Sequence, residues 1–315
     1  VKQIDDHVDD EQAPGAALDE QLPGHVPIRV VSQRTGVNPV TLRAWERRYG
    51  LIRPHRTPKG HRLYSEADIA RITAVVGWLE RGVSISQVRG LLERAPAAAV
   101  ALPAMLEGDW ERFRARLVAA VDGFDENRVD ETMNEAMSLY PFLTVHERLV
   151  VPVLQALGQR GQSAPGDVAA RAFFTGYLRR KLAARTLLGT RHVGGPRILL
   201  ATAGSCDDTG LLTVAVAMTK LEWQPLIVPD GVPLAELPVV QERRASSAVL
   251  LYGDAALDAS FPRTLAALVN NAAVPVAVIG HSARIHEQQI RAAGAHALVE
   301  DSLAAALRRF GELLP

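Results

Sequence analysis

A single cysteine, Cys206, occurs in 315 residues. One thiol excludes an intramolecular disulfide and a thiolate-rich metal site within one subunit. Net charge is also missing, because 35 Lys and Arg balance 35 Asp and Glu, so the total identifies no partner. No apolar run approaches the roughly 20 residues that a membrane-spanning helix needs, which predicts no membrane partner. No internal repeat is visible. Residues 1–25 are acidic and turn-rich and lack the basic and apolar regions of a signal peptide, so they read as a disordered tail. A cytoplasmic protein is the expectation. The nine histidines are scattered, and His281 and His286 have no Cys or carboxylate cluster beside them at ligand spacing. Without a Ser-His-Asp or Cys-His arrangement, no catalytic residue can be named, and neither an enzyme nor a metal site is expected.

Charge is present locally. Val26 to Ala95 holds 13 Lys or Arg against 5 Asp or Glu, a surplus of +8 inside a neutral chain. Within it, Asn38 to Tyr64 reads NPVTLRAWERRYGLIRPHRTPKGHRLY. Asn38 can cap a helix, Pro39 suits its first turn, and Gly50 can stop it. Basic and apolar residues then alternate around Pro58-Lys59-Gly60, the signature of a tight turn between two short strands. A helix sized for a major groove, next to a cationic hairpin that can track phosphates, is a constellation for double-stranded DNA. A solvated helix face would explain the charge but not the adjoining turn chemistry.

Composition divides the rest. Residues 96–103 are an Ala-rich linker, and 104–190 are helical in pattern, with segments near 104–121, 126–139, 142–160 and 167–189. From 191 to 315, short apolar runs beginning at Ile198, Pro225, Ala248 and Pro275, with a last one at 297–299, alternate with helical segments. That alternation predicts βαβ units and a five-stranded parallel sheet covered on both faces. The expected protein is multidomain: a mostly α winged helix-turn-helix over 26–95, a four-helix bundle over 104–190 and a flavodoxin-like α/β domain over 191–315.

The segment Ile28 to Leu92 resembles the DNA-binding domain of MerR-family transcription regulators, through IRVVSQRTGVNPVTLRAWERRYGL, HRTPKGHRLYSEADIARI and WLERGVSISQVRGLL. The resemblance implies that Thr41, Arg43, Trp45, Glu46, Arg47 and Arg48 face DNA or support the face that does. It also implies wing contacts to the DNA backbone from Arg56, Lys59, His61, Arg62 and Tyr64. Arg43 is the best candidate for a base edge, since Arg pairs bidentately with guanine. Arg47, Arg48, Arg56 and Arg62 suit phosphate. For Trp45 and Tyr49 a core role competes, since aromatics at helical spacing often pack inward. Such modules read one half-site each, so a homodimer or higher oligomer is expected. Ser65 with Asp68 reads as a capping box for the next helix.

More loosely, the remaining two-thirds resembles the bundle and cobalamin-binding domain of light-sensing MerR-family repressors. It is also similar to the MerR-like regulators of enterobacterial curli genes, which share the NPVTLRAW…RRYGL wording and are not cobalamin proteins. Cobalamin-binding members carry a Trp, nine residues and then Glu-His in the bundle; at that spacing stand Gly161 and Arg171-Ala172. They carry Asp/Glu-x-His-x-x-Gly after the first strand; here Ser205 and Asp207 occupy the acidic and His positions ahead of Gly210. A carboxylate is a poor substitute for imidazole on cobalt. The expectation is a cobalamin-type scaffold with no cofactor, serving oligomerisation or a protein partner. The alternative is a ligand-gated regulator that senses another small molecule in the α/β domain. A phospho-acceptor reading of Asp207, Asp208 and Asp254 is weaker, since the pair stands several residues beyond its strand.

Overall fold

A computed structural model describes residues 24–58, 60–80, 83, 85–92, 108–161, 164–190, 194–204 and 208–314. Its first unit is a small winged domain. Strand β1 (His25–Pro27) pairs antiparallel with β3 (Arg62–Ser65), and β3 pairs with β2 (His55–Arg56). The helices are α1 (Ile28–Thr35), α2 (Pro39–Ala44), α3 (Glu66–Glu80) and α4 (Ile85–Leu92). Asn38 caps α2 as its sequence suggests, its side chain accepting from Thr41 N at 2.9 Å. Helix α2 runs on into Trp45–Tyr49, where the hydrogen bonding widens to i→i+5, and stops at Gly50 with φ 60°. The Ser65–Asp68 box is closed from both sides, Ser65 N donating to Asp68 at 2.9 Å and Asp68 N to Ser65 Oγ at 3.2 Å. Strand β1 was not expected. His25 and its neighbours extend the wing sheet, so the last residue of the segment read as a tail belongs to a strand; residues 1–23 lie outside the described residues.

Helices α5 (Gly108–Asp122), α6 (Glu126–Leu139), α7 (Phe142–Val145), α8 (Val151–Arg160) and α9 (Asp167–Thr190) make the bundle. The segment expected as one helix over 142–160 is widened at His146–Val150, and Pro152 explains why. Proline has no N–H, and its ring crowds the carbonyl four residues back. That carbonyl belongs to Arg148, and the wide turn frees it to accept from Arg114 at 3.4 Å. One continuous apolar core joins bundle and winged domain, with Trp45, Leu117, Tyr140 and Phe174 among its buried members.

The third unit is a parallel sheet ordered β5-β4-β6-β7-β8: β4 (Arg197–Thr202), β5 (Gln224–Ile227), β6 (Ala248–Tyr252), β7 (Val276–Ile279) and β8 (His296–Leu298). All four pairings are parallel, with Leu199 opposite both Leu226 and Val249. This is the flavodoxin-like order expected from the sequence. Helices α10 (Asp208–Lys220) and α15 (Leu303–Gly311) cover one face, while α11 (Leu237–Arg244), α12 (Phe261–Asn271), α13 (His281–Ile285) and α14 (Glu287–Ala292) pack on the other side. Helix α9 lies on α10 so closely that a Cβ at Gly189 would come within 2.9 Å of Thr219 Oγ1. Among the described residues, no helix is long and apolar enough to cross a membrane.

Candidate nucleic-acid interface

The helix that begins at Pro39 is two-faced. Thr41, Leu42, Ala44 and Trp45 are buried, whereas Val40, Arg43, Arg47 and Arg48 are exposed. Val40, Arg43 and Arg47 stand at i, i+3 and i+7, so they form one stripe. Among the described residues, Arg43, Arg47 and Arg48 make no hydrogen bond or ion pair within the chain, which leaves three guanidinium groups open to an external anion. Arg53, exposed at the foot of the wing, is equally open.

Glu46 organises the wing. Its carboxylate accepts from Arg62 Nε at 2.5 Å and from Arg56 at 2.8 Å, bracing both wing strands against the helix. Burial pushes the Glu46 carboxyl up, but the hydrogen bonds from Arg62 and then Arg56 outweigh it, and the net shift is downward. Arg62 keeps only 19% of its side chain exposed, against 52% for Arg56. Of the four arginines expected at phosphate, Arg62 is the one that is mostly covered and held as a brace. Gly60, at φ 86°, turns the wing, and Gly60 N donates to Thr57 O at 2.8 Å. His61 is exposed at this turn. Lys59 lies outside the described residues.

Three of the residues expected to face DNA, to support the face that does or to make wing contacts are inside: Thr41 and Tyr64 are fully buried, in the supporting place and not on the exposed face. Burial, with the Glu46 charge second, pushes the Tyr64 phenol up to about 12. Trp45 is also fully buried, and its indole Nε1 donates to the carbonyl of Leu139 at 2.8 Å, 94 residues away in the bundle. The helical spacing turns Thr41 and Trp45 inward, because α2 packs on α6 along that side. Sequence reading missed Val40 and Arg53. The i, i+3, i+7 register with Arg43 and Arg47 was the available signal for Val40.

In the α/β unit, the crevice beyond the carboxyl ends of β4 and β6 is where an open sheet of this order reverses direction and ordinarily receives ligands. Its cavity is about 250 Å3, lined by residues including Gly204, Gly253, Asp254, Asp258 and Ser282. The floor is tight. Tyr252 Oη lies 1.9 Å from where a Cβ on Gly210 would sit, so the phenol covers the first turn of α10. His286 is structural, accepting from Leu257 N at 3.0 Å through Nε2. Ser205 and Asp207 lie outside the described residues. Gly161 ends α8 in an exposed position with open space around it, and Arg171 and Ala172 are exposed on α9. Among the described residues, no three His, Cys, Asp or Glu side chains gather as a metal site would require.

Comparison with known proteins bears on both units. The chain is 28% identical over 221 residues to the HTH-type transcriptional repressor CarH of Myxococcus xanthus, covering 67% of this chain and 72% of that one. It is 28% identical over 273 residues to the repressor CarA of the same organism, covering 85% and 91%. A monomethylamine corrinoid protein from Methanosarcina barkeri overlays 64% of this chain and 99% of its own, at 16% identity and a TM-score of 0.45. The model of the MerR HTH family of regulatory proteins matches residues 26–95, the span of the winged domain and its exposed arginines. Residues 26–95 of this chain are a MerR-family helix-turn-helix domain.

Proposed function

We propose that this protein is a sequence-specific, double-stranded-DNA-binding transcription regulator, and that its cobalamin-type C-terminal scaffold binds no cobalamin and serves self-association or a protein partner. The observation that carries the DNA reading is the unpaired stripe of Val40, Arg43 and Arg47 beside a braced basic wing. In a major groove Arg43 would take a guanine edge, Val40 a thymine methyl, and Arg47 and Arg48 the flanking phosphates. Both relatives named above are transcriptional repressors, in keeping with a regulator and not an enzyme. One module of this size buries little surface on DNA, roughly 600–1,000 Å2, which favours a dimer on a two-fold site. Leu187 and Leu188, 69% and 63% exposed at the end of α9, are available for such a contact.

Binding is expected to be salt-sensitive. Arg47→Ala and Arg48→Ala should each weaken every duplex and lower the salt slope by about one unit, whereas Arg43→Ala should relax preference at one base pair by about 1–3 kcal/mol. Gel-shift titrations at several salt concentrations read both effects. An unchanged affinity in the triple variant R43A/R47A/R48A removes the assignment.

The residues present do not fit a corrinoid. The Tyr252 phenol fills the space over Gly210 at the start of α10. On the bundle side, exposed Gly161 supplies no aromatic cap, and Arg171-Ala172 replaces Glu-His. Asp207 in place of imidazole offers cobalt a hard oxygen donor. Incubation of the purified protein with adenosylcobalamin, followed by desalting, is expected to leave no corrin absorbance in darkness or light. Stoichiometric retention overturns this half of the proposal and leaves the DNA half standing.

A further inference from the structure

The three units meet around an open pocket of about 400 Å3, lined by Asn38 and Val40 of the winged domain, Asn134 and Ser138 of α6, Arg185 of α9 and Lys220 at the end of α10. Two cations therefore share it. Both are half-buried, and among the described residues neither makes a hydrogen bond or an ion pair. Asp130, the carboxylate whose charge reaches Arg185, already accepts from Lys181 and Tyr177. Burial lowers the pKa of the Arg185 guanidinium and of the Lys220 ammonium, and Arg185 lowers that of Lys220 further by repulsion. The nearby His146 brings no charge at neutral pH, since burial pushes its imidazole down to about 4. Among the described residues no carboxylate pairs directly with either cation, and partial desolvation of two like charges is unfavourable unless something anionic completes the site.

We propose that this junction is a binding site for a small phosphoryl-bearing anion, held by the Arg185 fork and the Lys220 charge. A planar guanidinium matches two phosphoryl oxygens, and an ammonium beside it supplies the second charge. The site goes beyond the function proposed above, and it stands or falls whether or not the winged domain binds DNA. The pocket wall includes Asn38 and Val40 from the start of the recognition helix, so an anion held by Arg185 and Lys220 lies next to the winged domain. The pocket is open, so the test below separates a free anion from the backbone phosphate of a duplex.

The test uses full-length protein and pyrophosphate, titrated at constant ionic strength, with thermal melting and phosphorus-31 line broadening as readouts. Pyrophosphate is expected to raise the melting midpoint by about 4 °C near saturation and to broaden its own resonance. The double variant R185Q/K220Q should melt at the same temperature or higher without the anion, because a repulsion has been removed, and should respond to it in neither readout. Arg185→Lys, which keeps the charge and loses the fork, should weaken the response without abolishing it. Equal responses in wild type and double variant, or no response in wild type, overturn the proposal. So does a double variant that instead loses affinity for random-sequence duplex with a salt slope lower by about two units, since that assigns both cations to DNA phosphate.

Discussion

Trp45→Ala is expected to lower the stability of the protein by about 3–5 kcal/mol, the range for removing a buried aromatic side chain. The residue is fully buried within the core that joins the winged domain to the bundle. It also performs a polar task. Leu139 is the last residue of α6, and the final carbonyls of a helix have no partner within it. Trp45 Nε1 donates to that carbonyl at 2.8 Å. Trp45→Phe keeps most of the apolar area and leaves the carbonyl unsatisfied, so a smaller loss of about 1–3 kcal/mol is expected. Urea unfolding of the two variants separates packing from hydrogen bonding. A Trp45→Ala protein of unchanged stability that has lost DNA affinity would return the indole to the DNA face and contradict the packing account.

Gly280→Ala should be comparably damaging. Gly280 sits just beyond β7 at φ 100° and ψ −166°, a region open almost only to glycine. An added Cβ would also lie 2.3 Å from the carbonyl oxygen of Gly253, in the loop after β6. That carbonyl accepts from Ser282 N at 3.1 Å, so it cannot withdraw without breaking the crevice floor. Backbone strain of about 1–3 kcal/mol and overpacking of about 1–3 kcal/mol give an expected loss of about 2–6 kcal/mol. Gly231→Ala is the control, because Gly231 has φ 90° with nothing within 4 Å of its added Cβ. The difference between the two substitutions, read by urea unfolding, isolates the close approach. Equal losses would mean that the two loops do not press together.

The order of elements was readable because each depends on neighbours in the chain. Asn38, Gly50 and the Ser65–Asp68 pair are local devices, and the five apolar runs of the sheet are bounded by turn residues. Partnership across distance was not readable. The helical period shows that Trp45 shares a face with Thr41, but not that the face meets Leu139. The family resemblance implied a wing contact from Tyr64, yet both it and Leu63 beside it are buried on the winged domain's core. Strand β1 escaped notice because His25–Pro27 is short and contains a proline, which only an edge strand tolerates. The Glu46 brace also escaped, since sequence counts Arg56 and Arg62 as free charges.

The 24 residues of α9 span about 36 Å as a single rod. It packs on α10, most closely at Gly189 and Thr219, and also on α5 and α8. Its last turns carry Arg185 beside Asn38 and Val40, and Gln33 donates to Glu222 at 2.5 Å. The α/β unit and the DNA-reading domain therefore adjoin at one end of this rod, and its length does not separate them.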